Sequence, residues 1–235
     1  MNKISVIIPV WNEEGNIETL IERINAALAP RMTYEIVAID DHSSDGTIAA
    51  LQRLRRKYPI IIRTKRGERG KAQSIIEGIN YAHYPLIAMI DADLQYPPEA
   101  ITDMVTMIKK NGFDIIVGDR VENHTQIHRK IIHDACRIVL GKWLHGLDCD
   151  IQSGLKVFKK EITTIIPMNP SAWAFDLEFL VHARNAGYTI GNCDIVFNKR
   201  HSGEAKINLI EGAWQIGYSA IKLKFKRTLR VSYSV

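Results

Sequence analysis

The chain has 235 residues, 46% of them apolar and 24% charged, with a formal net charge of +5 and a pI near 9.0, which is ordinary globular material for one large α/β domain plus a tail. The excess of basic residues points to anionic partners: a phosphorylated small molecule, an acidic membrane surface or nucleic acid. Three widely spaced cysteines without a C-x-x-C pair exclude a disulfide framework and a zinc ribbon, and no run of 18 apolar residues is present to span a bilayer. The opening "MNKISVIIPVWNEE" has only a short apolar run, broken by a proline and followed by acids, so no signal peptide is expected and a reducing cytosol fits best.

Apolar runs of strand length alternate with stretches of helical period. "KISVIIPV" precedes a helix over 14–29, "YEIVAID" one over 45–58, "IIIRT" one over 70–83 and "PLIAMI" one over 98–111, after which "FDIIVG" reads as a strand. This βαβ rhythm predicts a mostly parallel sheet flanked by helices. Ligands of such sheets sit beyond the carboxyl ends of the strands. Those ends carry Pro9, Trp11 and Glu13; Asp40 and Asp41; Asp91, Asp93 and Gln95; and Asp119 with Arg120. So many carboxylates on one edge repel one another unless a cation or a donor-rich ligand joins them. Asp45, just before "GTIAALQRL", reads instead as a helix cap. The same explanation is weak for Asp91 and Asp93, because Pro97 and Pro98 set the next helix start several residues downstream.

Beyond residue 120 the rhythm loosens into a helical stretch at 127–145, a strand "GLKVFKK", a helix near 176–187 and a strand "TIGNCDIVF", a half expected to shape an acceptor side. From Ile207 onward, Ile210, Ala213, Trp214, Gly217, Ile221 and Phe225 recur at helical spacing. Lys222, Lys226, Arg227 and Arg230 fall off that stripe, Lys224 within it, and Ile216 and Leu223 outside it. A basic amphipathic helix lying on an anionic membrane is one reading of this tail, and packing on the domain's own core is the other.

A bare Asp-x-Asp is a common accident, and the chain holds a second one at Asp148-Cys149-Asp150. At a strand end, Asp91-Ala92-Asp93 suits a hard divalent ion such as Mg²⁺ or Mn²⁺, which takes few protein carboxylates and fills its shell with phosphate and water. Asp40 and Asp41 suit a base or ribose, and Lys71, Arg120, Arg200 and Lys206 suit phosphates. Neither G-x-x-x-x-G-K-[ST] nor G-x-G-x-x-G occurs, which argues against an ATPase and a nicotinamide enzyme. His124, His128 and His133 have near-helical spacing but no completing ligand, so a solvated face is the better reading, and Trp173 and Phe175 read as core before acceptor groove.

Taken in order, "VIIPVWNEEGNI", "EIVAIDDHSSDGT", "IDADLQYPPE", "VGDR", "DIQSGLKVF" and "KRHSGEAK" resemble the inverting family 2 glycosyltransferases of the GT-A fold, over about residues 3–206. Within that family the chain is most similar to dolichol-phosphate mannose synthases and bacterial polyprenyl-phosphate glycosyltransferases. The resemblance implies that Pro9, Trp11, Glu13 and Asp40, with Asp41 beside it, hold the nucleoside of a nucleotide-sugar donor. Asp91, Asp93 and Gln95 would surround the metal and Ala92 would line the nucleotide site. Arg120, Arg200 and Lys206 would meet phosphates of donor or acceptor. Asp150 and Ser153 would lie by the acceptor, with Asp150 and Asp93 the candidates for a catalytic role and Glu178 on the acceptor side. It departs from the family pattern at His42, where Gly is usual, at Ala205, at Trp11 and in "RGKAQS", which lacks the usual extra glycines.

The implied reaction moves a hexose, mannose or glucose, from a donor such as GDP-mannose to a polyprenyl or dolichyl phosphate with inversion. A phosphate acceptor is already anionic and needs no general base, whereas a glycan hydroxyl acceptor, the alternative, would draw on Asp150, Asp176 or Glu178. A nucleotide-sugar-binding module without turnover and a nucleic-acid binder remain as other classes. The intact "DADLQ" disfavours the first, and the absence of any nucleic-acid motif disfavours the second. The expected organisation is a catalytic domain over 1–206 and a basic tail over 207–235, peripheral on the cytoplasmic face of a membrane and held there by anionic lipid or an anchoring partner.

Overall fold

The computed structural model describes residues 2–67, 69–122, 135–165, 174–198 and 209–231; Trp173, Arg200, Lys206 and His124, His128 and His133 lie outside the described residues. In chain order the elements are β1 (Asn2–Val10), α1 (Glu14–Leu28), β2 (Met32–Asp40), α2 (Thr47–Leu54), β3 (Ile60–Thr64), α3 (Lys71–Tyr81), β4 (Leu86–Met89), α4 (Ala100–Asn111) and β5 (Ile115–Glu122). There follow α5 (Cys136–His145), which is wound as a π-helix, β6 (Lys156–Lys159), the single turn α6 (Ile162–Ile165), α7 (Phe175–Asn185), β7 (Ile190–Phe197) and α8 (Leu209–Val231).

One seven-stranded sheet runs in the order β3-β2-β1-β4-β6-β5-β7. Every neighbouring pair is parallel except those made by β6, which runs antiparallel to both β4 and β5. The central strands are buried on both faces, so β1 and β2 read as near-continuous apolar runs. Alternation still assigns the faces: Ile4, Val6, Ile8 and Val10 pack with α1, α2 and α4, whereas Ile7, Val37 and Ile39 pack with α3 and, further along, α7 and α8. Gly112, at φ 76, ends α4 by donating its amide to the Ile108 carbonyl at 3.2 Å, and the double proline before α4 defers its start to Ala100.

Polar burial away from the carboxyl edge is internally satisfied. Glu35 of β2 accepts from the Ser5 hydroxyl at 2.6 Å and from the His83 amide at 2.7 Å. At Gly78, α3 touches the sheet so closely that an added Cβ would stand 2.5 Å from Ile7 Cγ2 and 3.2 Å from Ile39 Cγ1. Gly78→Val should therefore lift α3 off β1 and β2 and lower the unfolding free energy by about 1–3 kcal/mol, read as an earlier urea midpoint.

Candidate functional site

The direction of β6 decides what meets at the carboxyl edge. An antiparallel strand enters the sheet from the edge that its parallel neighbours leave, so the residues before β6 lie beside those after β4. Met89 ends β4 opposite Lys156, the first residue of β6. The chain then turns through Asp91, Ala92, Asp93 and Leu94; Leu94 holds φ 63, and the Gln95 amide closes the turn on Asp93 Oδ1 at 3.1 Å. Facing it is the turn Asp150–Gly154, and the Tyr96 hydroxyl accepts from the Gly154 amide at 2.8 Å. The two turns pack flush: a Cβ on Gly154 would stand 2.3 Å from Asp91 Oδ2 and 3.0 Å from Tyr96 Cε2.

Charges of opposite sign alternate across this junction. Arg120 grips the fully buried Asp150 with two parallel bonds of 2.5 and 3.1 Å, and its guanidinium lies 5.2 Å from the Phe197 ring centre. Lys71, the first residue of α3, reaches both oxygens of Asp91, at 2.6 and 2.8 Å. Lys156, wholly buried, donates to the Ser153 carbonyl and to Asp176 at the start of α7, the latter at 2.5 Å. Asp119 is held by Arg137 of α5 at 3.1 Å and by Asn192 at 3.3 Å, with burial raising its carboxyl above the ordinary range.

Desolvation opposes the Lys71 charge, yet Asp91 and, to a lesser degree, Asp176 hold its ammonium above the usual lysine range. Burial likewise pushes the Tyr96 phenol up to about 12, with Arg120 opposing and Asp91 and Asp150 adding, so Tyr96 stays protonated at neutral pH. Cys149 is pushed up to about 12, chiefly by burial, which removes it as a nucleophile.

The other half of the edge is built from the loops after β1 and β2. Asn12 and His42 hold φ 53 and φ 62. The loops are laced together: the Asn12 amide donates to Ser43 Oγ at 3.0 Å, the Ser44 amide to Asn12 Oδ1 at 2.7 Å and the Glu13 amide to Thr47 Oγ1 at 2.8 Å. Asp45 does not cap α2 as expected, since the cap position is Gly46; one residue earlier, it accepts from the Thr47 amide at 3.0 Å and from the Glu14 amide at 3.2 Å, tying the helix start to the loop after β1. His42 adopts the left-handed conformation that makes glycine the usual occupant of such a position, and its Nε2 lies 2.9 Å from the Gly67 carbonyl. The Arg69 guanidinium covers the Trp11 ring at 4.9 Å. Asp40 is buried and receives the Ser43 amide at 3.2 Å, while Asp41 turns into the fold to pair with the buried Lys65 and receive the Gly70 amide at 2.8 Å.

Of the residues singled out from sequence, Asp91, Asp93, Arg120, Asp150 and Ser153 come together in one junction. Pro9, Trp11, Glu13, Asp40 and Asp41 form the adjoining half, and Ala92 is buried in the same core cluster as Val10. Glu178 stands in the first turn of α7 next to Asp176, and Gln95 bonds the Asn198 carbonyl at 3.3 Å. Ser153 uses its hydroxyl within its own turn, donating to the Leu155 carbonyl at 3.2 Å. Phe175 lies in the core. Tyr96, Gly154 and Lys156, the partner of Asp176, escaped notice, although a lysine among the apolar residues of "GLKVF" was a usable signal. Among the described residues no group of three His, Cys, Asp or Glu side chains is placed to hold a metal. Asp91 and Asp93 are a pair of hard oxygen donors, which fits an ion that completes its shell with diphosphate and water.

Residues 5–135 match the sequence profile of Glycosyl transferase family 2. The chain is 35% identical over 214 residues to a dolichol-phosphate mannosyltransferase of Pyrococcus furiosus, a match over 87% of this chain and 59% of that protein. Thus the chain spans less than two thirds of that relative's length. A Saccharomyces cerevisiae protein of the same name is 26% identical, over 87% of this chain and 80% of its own. Among solved structures, glucosyl-3-phosphoglycerate synthase from Mycobacterium tuberculosis, in complex with Mn²⁺, uridine diphosphate and phosphoglyceric acid, superposes with a TM-score of 0.77 at 16% identity, over 95% of this chain and 78% of that one.

Arg120→Leu should cost about 3–5 kcal/mol of stability, because it takes the cation from a buried carboxylate. Arg120→Leu combined with Asp150→Leu should recover much of that loss, and urea unfolding of the two variants measures the difference.

Proposed function

Because the chain belongs to glycosyl transferase family 2, we propose that it transfers a hexose, with inversion, from a nucleoside-diphosphate sugar to a polyprenyl phosphate. The observation that carries this reading is the packing of the Asp91–Asp93 turn against the Asp150–Gly154 turn, in a chain 35% identical to a dolichol-phosphate mannosyltransferase. Residues 1–206 would form the catalytic domain, with 207–235 its basic tail.

In this reading Pro9, Trp11, Glu13 and Asp40 bind the nucleoside, with Ala92 lining the site and Asp41 supporting the loop through Lys65. A divalent ion held by Asp91 and Asp93 beside Gln95 would neutralise the departing nucleoside diphosphate; Mn²⁺ is the ion in the glucosyl-3-phosphoglycerate synthase complex, and Mg²⁺ has the same oxygen preference. Lys71 and Arg120 add positive charge at the same edge, and Arg200 and Lys206 would complete the phosphate contacts. The acceptor enters over Ser153, Gly154 and Glu178.

The pairing of charges favours a phosphate over a hydroxyl acceptor. A hydroxyl needs a base, but Asp150 already holds Arg120 and Asp176 already holds Lys156. Either would have to surrender an ion pair to take a proton. A lipid phosphate is ionised at neutral pH and attacks without that step. Asp150 then serves by fixing Arg120 and the turn that shapes the acceptor side, and Asp93 by holding the ion.

The acceptor's membrane has a candidate landing surface. α8 packs inward through Ile216 and Ala220 and turns Trp214, Tyr218, Ile221 and Phe225 outward. Next to it α5 exposes Ile138, Val139 and Trp143, and the helices are joined by His145 Nε2 at 2.9 Å from the Ala220 carbonyl and Lys224 Nζ at 2.8 Å from the Leu144 carbonyl. One face of the helix thus packs on the domain's own core, and the opposite, exposed face supports the proposed membrane docking. Lys142, Lys222 and Lys224 flank the aromatics, and from Gly212 to Val231 α8 contains no acid. Anionic lipid at the headgroup level fits this combination. Among the described residues no helix is long and apolar enough to cross a membrane. The attachment proposed for α8 is peripheral, on the face where nucleotide-sugars are made.

In a thermal-shift panel, GDP- or UDP-sugars with Mn²⁺ should raise the melting temperature of the parent, and the rise should vanish in Asp93→Asn while its unliganded melting point stays put. An unchanged ligand response in Asp93→Asn would remove the metal role. Sedimentation with liposomes should show salt-sensitive binding to anionic vesicles, reduced at least tenfold by Trp214→Ser with Phe225→Ser. Equal pelleting with neutral vesicles would instead favour an anchoring partner.

A further inference from the structure

The Lys71–Asp91 contact is at odds with a carboxylate waiting for a metal. One ammonium reaches both Asp91 oxygens, at 2.6 and 2.8 Å, from the first residue of α3. Asp91 is lodged against Gly154 and Tyr96, so it does not share the space with a side chain from the facing turn. The Lys71 ammonium also feels the charge of Asp176, more weakly than that of Asp91, and Asp176 is itself held by the buried Lys156 at 2.5 Å. The order Asp91, Lys71, Asp176, Lys156 alternates in sign, and each cation in it already serves a carboxylate.

We propose that Lys71 is the resident counter-cation of Asp91, which a divalent ion displaces, and that the released ammonium then grips the donor diphosphate, so that ion and diphosphate bind as a pair. The inference rests on the reading of Asp91 and Asp93 as metal ligands. Its physical basis is charge balance. An ion arriving alone would have to share Asp91 with an ammonium or evict it, and in both cases the junction gains positive charge with no anion to offset it. An ion arriving with a diphosphate brings that anion, and the ammonium, a point charge with three donors on a flexible stem, exchanges a carboxylate for phosphate oxygens. Asp176 keeps the freed ammonium within the site during the exchange. By linkage, the factor by which the diphosphate tightens ion binding equals the factor by which the ion tightens diphosphate binding. Lys71 is thus a positioning residue that suppresses futile metal binding in the empty site and rewards the complete donor.

The test is titration of Mn²⁺ into the whole chain, following the electron paramagnetic resonance signal of free Mn²⁺, alone and with saturating GDP or UDP in separate arms, for the parent, Lys71→Met and Lys71→Arg. Either nucleotide that binds should tighten Mn²⁺ binding at least tenfold in the parent. Lys71→Met should bind Mn²⁺ alone at least tenfold more tightly than the parent, with most of the nucleotide enhancement gone, and Lys71→Arg, which keeps a cation on Asp91, should behave like the parent. The gain in Lys71→Met should persist at about 0.5 M potassium chloride, where a merely through-space charge effect is screened. If the parent binds Mn²⁺ with a nucleotide but Lys71→Met binds Mn²⁺ alone no more tightly than the parent, or only at low salt, this inference falls and the donor site stands. If no form binds Mn²⁺ with either nucleotide, the metal reading falls and takes the inference with it.

Discussion

The reversed strand β6 is the constraint on which the site depends. Were it parallel like its neighbours, the Asp150–Gly154 turn would leave the sheet at the opposite edge, far from Asp91. Running antiparallel between β4 and β5, it places that turn against the Asp91–Asp93 turn and commits its first residue, Lys156, to the interior. A lysine there is tolerable because its ammonium meets the Ser153 carbonyl and Asp176 at once. The same buried charge therefore ties the turn, the strand and the start of α7 into one unit. Arg120 does the equivalent from β5, through Asp150.

The junction holds many charges at small separations, and their arrangement explains why it does not push itself apart. Each carboxylate in the row faces a cation from a different element: Asp91 faces α3, Asp150 faces β5, Asp176 faces β6. Such cross-linking by ion pairs favours a single geometry more than it adds net stability, since desolvation offsets most of the attraction. A fixed geometry is what the proposed transfer would need, because its two reactants have to be held in register.

Much of this was legible in the residues. The β-α rhythm through β5, the start of α4 after Pro97 and Pro98, and the concentration of acids at strand ends follow from local pattern alone. What was not legible is relational. Strand direction leaves no trace in a short apolar run such as "KVF", so β6 could not be seen to reverse. The Arg120–Asp150 pair spans 30 positions, and nothing local to either residue names the other. Tyr96, between Gln95 and Pro97, gave no periodic signal, and in the tail Ile216, read as lying off the stripe of Trp214, Ile221 and Phe225, turned out with Ala220 to be the inward face once the neighbouring helices were in place. The π-winding of α5 departs from the 3.6-residue repeat that sequence periodicity is read against.

The close approach at Gly154 sets an evolutionary asymmetry. Any side chain there collides with Asp91 and Tyr96, so the centre of the junction is mutationally brittle, and a change must be compensated on both turns together. The loop carrying Gly67 and Arg69, by contrast, is tied to His42 and Trp11 by a few contacts at the solvent boundary. Substitutions accumulate more readily in such a loop than in a packed junction. If the loop borders the nucleoside as proposed, descendants of this chain would drift in nucleoside preference before they drift at the junction.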